Sequence, residues 1–193
     1  MNNDKNLLRQ KAKDIRKRLN TEVVSTAIAN NIAKWDKYQN SHTIMLFYPI
    51  GSEINLLKLL DDNTKRFVFP VVDGNNMHPV FYTKEKGFKT GAFNIKEPIG
   101  NTVDMNDIDL ILMPALAADE KGYRLGYGKG YYDRFLNNTT NAATAIPISE
   151  HLIFNSIPKE EHDKKADYII TENQIIKTEL FQMIGSANVH NIT

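Results

Sequence analysis

An α/β architecture, a three-layer α/β/α fold with a largely parallel central sheet, is predicted by three observations. Short apolar runs rich in strand-forming residues recur along the chain; several are separated by stretches of helix length; and 193 residues suit one α/β domain with a sizeable core, without room for two. The whole chain, 1–193, is therefore expected to form one domain.

The elements follow in order. Residues from about Asp4 to Leu19 read as a basic amphipathic helix, with Leu7, Leu8, Ala12 and Ile15 on one side and lysines and arginines around them. A second helix is expected to start at a Thr21 cap and to set Val24, Ile28, Ile32 and Trp35 along one core-facing stripe. TIMLFY (Thr43 to Tyr48) reads as a strand, YPIGS as a loop and INLLKLLDD as a helix. Further buried strands are expected at RFVFPVV (Arg66 to Val72), DLILMP (Asp109 to Pro114), ATAIPI (Ala143 to Ile148) and ADYIIT (Ala166 to Thr171). The turn-rich stretch from Asp73 to about Asp107, with HPVFYT and GAFNIKEPIG, suits an antiparallel edge or a flap. Ligands of open α/β sheets gather at the carboxyl edge, so the loops after Tyr48 and Pro114 are the places to search.

Composition narrows the function. With 24 Lys+Arg against 23 Asp+Glu, no overall field draws the chain to nucleic acid or to an anionic membrane. The absence of cysteine excludes thiolate metal sites, disulfides and cysteine nucleophiles, so a metal site must use oxygen or imidazole. MNNDKNLLRQKAKDIRKRL has no signal-peptide core, and no segment reaches the ~18 apolar residues that span a bilayer. A cytoplasmic protein is expected. The polar tail from about Gly185 is expected to fray. None of His42, His78, His151, His162 and His190 shows metal-ligand spacing or an acid/base pairing.

The densest chemical signal is KGYRLGYGKGYYDRF, Lys121 to Phe135, between the strand DLILMP and an expected helix YYDRFLNN. Four of the 10 glycines fall here: Gly122, Gly126, Gly128 and Gly130. Glycine admits close backbone approach, and successive amides present donors to an anion. Arg124 and Lys129 add cations that suit phosphate, and Asp133 a carboxylate that suits a hard divalent ion, a set appropriate to phosphoryl transfer. The spacing is neither that of a Walker A loop nor GxGxxG. Read as a glycine-rich loop alone, it is either an anion cradle or a mobile turn.

The complete run LMPALAADEKGYRLGYGKGYYDRFL resembles the signature of the 5-formyltetrahydrofolate cyclo-ligase (5,10-methenyltetrahydrofolate synthetase) family, and KNLLR, YPIGSEI, FPVV, GAFNIKEP and HDKKADYIIT agree in order. Ala115 and Ala118 depart from the glycine and the larger apolar residue common in that signature. The resemblance implies ATP as co-substrate, Mg²⁺, and phosphorylation of the formyl oxygen of 5-formyltetrahydrofolate. A folate nitrogen then closes the ring to 5,10-methenyltetrahydrofolate, releasing ADP and phosphate.

Carried over position by position, the resemblance implies an amino-terminal ATP contact through Lys5, Asn6, Leu7, Leu8 and Arg9. It implies a nucleotide loop of Arg124, Leu125, Gly126, Tyr127, Gly128, Lys129, Gly130, Tyr131 and Tyr132, with Tyr127 to Tyr131 also bordering folate. Lys129 is the expected electrostatic catalyst, with Arg124 beside it. Tyr48 and Glu53 are the implied folate contacts, Glu53 accepting from pterin N–H groups, and Asp133 and Asp167 the metal-side carboxylates. Expected partners are ATP and 5-formyltetrahydrofolate, including polyglutamylated forms, with no nucleic acid, no membrane and a monomeric state. Two other readings are a phosphotransferase for a different metabolite, and an RNA- or nucleotide-binding module using the basic first helix; near-zero net charge disfavours the latter.

Overall fold

The structure, a computed structural model, describes residues 2–138, 141–161 and 163–178. The tail from Gly185, His162 and His190 lie outside the described residues. Three helices lead: α1 (Asn2–Arg16), α2 (Thr21–Lys34) and α3 (Asp36–Asn40). Asn20, rather than Thr21, caps α2, its side chain accepting from the Val23 amide. Then come β1 (Thr43–Met45), β2 (Arg66–Asp73), β3 (Asn76–Phe81), β4 (Phe88–Thr90) and β5 (Lys96–Pro98). The run INLLKLLDD forms a short 3-10 turn, Leu57–Asp61, in place of the expected helix. The chain continues through β6 (Leu110–Leu112), β7 (Ala117–Asp119), β8 (Arg124–Leu125), α4 (Tyr131–Leu136), β9 (Ala143–Pro147), β10 (Ile153–Phe154), β11 (Tyr168–Ile170) and β12 (Ile175–Lys177).

Seven strands form the main sheet in the order β12-β11-β9-β6-β1-β2-β3; β11, β9, β6, β1 and β2 are parallel, and β12 and β3 are antiparallel edges. The expected antiparallel edge is thus β3, while β4 and β5 form a separate hairpin. Successive strand residues face opposite sides, so each strand feeds two cores. Met45, Ile111, Met113, Ile146 and Ile169 join Ala12 of α1 and Phe135 of α4 on one face. Ile44, Leu46, Leu110, Leu112 and Ile170 join Ile28 and Ile32 of α2 and Tyr38 of α3 on the other. Helices on both faces of the sheet make the three layers, and each fully buried Leu or Ile stabilises them by about 1.5–3 kcal/mol. In α1, Leu8 and Ile15 pack inward as expected, but Leu7 is 73% exposed. Among the described residues no helix is long and apolar enough to cross a membrane.

Two aspartates finish the amino edge of the sheet alike. Asp109, just before β6, accepts through Oδ2 from the His42 and Thr43 amides at 2.7 and 2.8 Å. Asp167, just before β11, accepts through Oδ2 from the Thr144 amide and hydroxyl, both at 2.8 Å. Each carboxylate ties its strand to the start of a neighbouring strand. Removing one strands backbone and side-chain donors at a partly buried edge, so Asp167→Ala is expected to cost about 1–3 kcal/mol in urea denaturation while turnover of the folded variant stays near wild type. Lost turnover at unchanged stability would place Asp167 in the active site instead.

Candidate active site

The chain leaves β1 towards β2 on one side, while β6 flanks β1 on the other. The loops beyond the carboxyl ends of β1 and β6 therefore diverge, which opens a crevice there. A cavity of about 790 Å³ occupies it, bordered by Phe47 and Tyr48 after β1, Pro70 and Val72 of β2, and Pro114 after β6. A cavity of this size is in the range of substrate clefts.

The glycine loop crosses the cavity. Its launch point is the β7–β8 hairpin, held by the buried Asp119: Oδ1 accepts from the Lys121 and Tyr123 amides at 3.1 and 3.0 Å, and Oδ2 from the Ile157 amide at 3.0 Å. Every residue from Arg124 to Asp133 lines the cavity. Gly128 adopts φ +91°, and a Cβ there would lie 3.2 Å from Arg9 Nη2. Gly130, at φ +66°, caps α4 in the left-handed region. Both positions require glycine, so this loop has a defined shape.

Among the described side chains of α1, Lys5 and Arg9 reach the cavity. Arg9 donates from Nε to the Gly126 carbonyl at 3.1 Å and from Nη1 to Asn6 Oδ1 at 2.8 Å, so Asn6 orients Arg9 from outside the cavity. Leu7 and Leu8 do not line it. Lys5 Nζ bridges Glu160 and Asp163 at 3.2 and 3.0 Å. Burial alone would lower the Lys5 pKa, but the bonds to Asp163 and Glu160 outweigh it and raise the value above 10.5. Arg124 donates from Nη2 to Asp133 Oδ1 at 2.8 Å and from Nη1 to the Lys164 carbonyl at 3.1 Å, and the Lys164 amide donates to Asp133 at 3.2 Å. Glu160, Asp163 and Lys164 thus form a strap fastened to Lys5, Arg124 and Asp133. Among the described residues no carboxylate pairs with Lys129, whose Nζ sits 5.7 Å from the centre of the Phe93 ring.

On the opposite wall, Glu53 is 4% exposed and accepts through Oε2 from the Ile50 amide at 2.9 Å. Burial raises its pKa, opposed by the Ile50 amide, the Tyr127 hydroxyl and the charge of Arg16. Tyr127, in turn, is pushed up to about 12 by burial and by Glu53. The Tyr132 hydroxyl is buried without a hydrogen-bond partner among the described residues, although it lines the cavity. Burial also raises its pKa. A buried hydroxyl left unpaired inside a cleft is one a ligand can satisfy. Tyr48 packs edge-on to Phe88, which stacks on Tyr82, fastening the β4–β5 hairpin to the sheet. That hairpin presents Phe93, 62% exposed and at φ +54°, beside Tyr131.

The structure therefore brings together Lys5, Arg9, Tyr48, Glu53 and the whole Arg124–Asp133 loop, but not Asp167, which remains engaged with Thr144 outside the cavity. Sequence reading missed Arg16, Glu97, Glu160 and Asp163. Glu97, buried under Gly91 in the flap, also lines the cavity. Asp163 lies in HDKKADYIIT, four residues before the aspartate chosen from that segment, and no local pattern separates the two.

A cationic glycine loop beside an aromatic-walled cleft at the carboxyl edge of a parallel sheet defines an α/β enzyme that takes a polyanion next to a flat ligand. Residues 1–172 match the model of the 5-formyltetrahydrofolate cyclo-ligase family, and the chain belongs to that family. The mouse 5-formyltetrahydrofolate cyclo-ligase is 29% identical over 171 residues, covering 77% of this chain and 82% of that protein. The NMR structure of Aquifex aeolicus 5,10-methenyltetrahydrofolate synthetase superimposes with a TM-score of 0.81 at 30% identity, covering 90% of this chain and 92% of the other. The 5,10-methenyltetrahydrofolate synthetase of Mycoplasma pneumoniae gives 0.70 at 26% identity, with 88% and 99% coverage.

Because the folded-state pKa of Lys5 is raised, its ion pairs contribute stability that is complete below 10.5 and is lost as pH rises through the higher folded value. Lys5→Met is accordingly expected to lower the denaturation midpoint at pH 7, and that deficit should shrink in strongly alkaline buffer; a deficit independent of pH would mean that packing, not charge, holds Lys5.

Proposed function

We propose that the chain performs the reaction of its family, the ATP-dependent conversion of 5-formyltetrahydrofolate to 5,10-methenyltetrahydrofolate, with the triphosphate on the glycine loop and the pterin between Tyr48 and Glu53. The observation that carries this reading is the Lys129 ammonium, free of any carboxylate partner among the described residues and projecting from a shaped loop at the cavity.

In this reading the γ-phosphoryl group passes from ATP to the formyl oxygen, and ADP leaves. N10 then attacks the formyl carbon and gives up its proton, the C–O bond breaks, and phosphate departs with the oxygen. Lys129 neutralises charge on the phosphoryl group in flight, which is where a preorganised cation lowers the barrier most. Arg124, immobilised by Asp133, and Arg9, immobilised by Asn6 and Gly126, flank the triphosphate without losing conformational freedom on binding. Lys5 exchanges its carboxylates for phosphate oxygens. Glu53 accepts from pterin N–H groups, and the Tyr132 hydroxyl gains a partner.

The donor set fits Mg²⁺ delivered with the nucleotide. Asp133 and Asp163 both border the cavity, and among the described residues no cluster of three His, Cys, Asp or Glu side chains forms a closed cage. Asp133 and Asp163 would hold the ion, water and phosphate oxygens would complete its shell, and its charge would offset that of the triphosphate. The enzyme is proposed to work as a cytosolic monomer and to accept polyglutamylated substrate.

Absorbance of methenyltetrahydrofolate after mixing protein, 5-formyltetrahydrofolate, ATP and Mg²⁺ tests the reading; product must require every component. Lys129→Ala should lower kcat by about 10²-fold or more with the fold unchanged, the scale of losing one preorganised charge contact. Near-normal kcat would exclude the assigned role. Folate affinity should fall on acidification as Glu53 protonates, beginning above the ordinary glutamate value of 4.5 because its folded pKa is raised. Glu53→Gln should remove that pH dependence and weaken folate binding more than ATP binding in separate titrations.

A further inference from the structure

Where the β4–β5 hairpin meets α4, the cavity is lined by groups that the mechanism above leaves unused. The Phe93 ring at the hairpin tip lies 6.4 Å from the Tyr131 ring, centroid to centroid, and so joins the two sides of the cleft. Each ring carries a cation: Lys129 Nζ lies 5.7 Å from the centre of Phe93, and the Arg134 guanidinium 5.1 Å from the centre of Tyr131. A third cation, Lys96, is the first residue of β5 and borders the same cavity. Phe93, Lys96 and Arg134 are exposed, whereas Glu53 is buried, so these residues mark the mouth of the cleft and Glu53 its floor.

Lys96 and Arg134 have no assigned role, and neutral groups hold both in place. Arg134 donates from Nε to the Asn75 carbonyl at 2.9 Å, in the turn between β2 and β3, and lies so close over Gly130 that an added Cβ there would be 2.9 Å from Nη1. The same turn receives the Tyr131 hydroxyl, which donates to the Gly74 carbonyl at 3.2 Å. Lys96 Nζ donates to Oγ1 of Thr90, its cross-strand partner, at 3.0 Å. Among the described residues neither cation pairs with a carboxylate. The acid next to Lys96, Glu97, is buried and accepts from the Val72 amide at 3.4 Å. A guanidinium and an ammonium each keep donors to spare after one such bond, and a neutral partner leaves the charge uncompensated.

We propose that Lys96 and Arg134 bind the glutamyl carboxylates of the folate substrate, above all those of a poly-γ-glutamyl tail. The proposal rests on the reading of Glu53 as the pterin contact. A folate presents a flat pterin, an aromatic ring and a glutamate in that order; from floor to mouth the cleft presents a buried acceptor at Glu53, the Phe93–Tyr131 ring pair, and then the two exposed cations. A pterin seated at Glu53 directs its tail outward, and every added γ-glutamyl residue brings one more carboxylate to a mobile lysine stem and an arginine fork. Lys129, on the Phe93 ring, stays with the phosphoryl group.

The test is equilibrium binding of the monoglutamyl and triglutamyl forms of 5-formyltetrahydrofolate and, separately, of ATP with Mg²⁺, at low and high ionic strength. It uses the full-length wild type, Lys96→Gln, Arg134→Gln, their double variant, the charge-keeping Arg134→Lys, and Lys58→Gln, which removes one exposed charge outside the cavity. The wild type should bind the triglutamate roughly tenfold more tightly than the monoglutamate, and salt should erode that gain, as it does for solvent-exposed ion pairs. Each Gln variant should lose part of the gain, and the double variant should bind the two forms within about twofold of each other, the residue expected once both ion pairs are gone. Arg134→Lys should keep most of the gain, and Lys58→Gln all of it. Affinity for ATP should stay at the wild-type level throughout. Equal wild-type affinities for the two forms, a double variant that retains the gain, or a gain lost equally in Lys58→Gln each overturn the assignment. A loss of ATP affinity matching the loss for triglutamate also overturns it, because the two cations would then belong to the nucleotide. If the wild type binds neither folate form, the folate reading of the cleft fails first, which separates that failure from one confined to the tail.

Discussion

The sheet's burial on both faces is the constraint from which the rest follows. Because α1 and α4 cover one side and α2 and α3 the other, most of both faces is closed, and the cleft opens at strand ends, meeting the sheet itself at Pro70 and Val72 of β2 and Met77 of β3. The amino edge is closed by Asp109 and Asp167, which are occupied with backbone donors. Only the carboxyl edge is open, and only where β1 separates two directions of chain travel does it open widely. The cleft is thus a consequence of strand order, and the glycine loop lies over it because β8 and α4 stand on either side of the opening.

Charge in the cleft obeys a second rule. A buried cation without a partner is costly, so most of the cations gathered here are already engaged: Lys5 with Glu160 and Asp163, Arg124 with Asp133, Arg9 with carbonyl groups, Arg16 with the Ala115 carbonyl. Such pairing keeps side chains in place before a ligand arrives. It also means that a polyanion must displace protein carboxylates at Lys5, whereas Lys129, at an exposed position, has none to displace. That difference fits Lys129 to act on transferring charge and the others to hold charge that is present throughout.

Much of this was legible in the sequence, and what was not has a physical explanation. The five parallel strands announced themselves because buried strands are continuous apolar runs, and the glycine loop because two positions demand φ values that other residues resist. INLLKLLDD looked helical, but the segment has to return to β2 quickly and closes as a 3-10 turn instead. Leu7 looked like part of an apolar stripe, yet the seam of α1 is narrow and takes Leu8, Ala12 and Ile15. Arg16 looked like one more basic residue on a solvated helix. Its partner Ala115 is 99 residues away and the Lys5–Asp163 pair spans 158, distances over which periodicity carries no information.

Asp163 and Asp167 show how such an ambiguity is resolved. Both lie in one short segment, and a carboxylate in either place suits a divalent ion by composition alone. Asp167 enters the sheet opposite Thr144, whose amide and hydroxyl both point at it, so its Oδ2 is committed to the strand edge. Asp163 stops short of the sheet, in the strap beside the glycine loop, where its Oδ2 accepts from the Glu160 amide at 2.8 Å and from the Lys5 ammonium at 3.0 Å at the cavity. Both aspartates accept from a backbone amide, so what separates them is place: Asp167 is tied to a strand edge away from the cavity, whereas Asp163 borders the cavity beside the Lys5 ammonium. The strap, rather than the strand that follows it, therefore brings an aspartate to the cavity that Asp133 also borders.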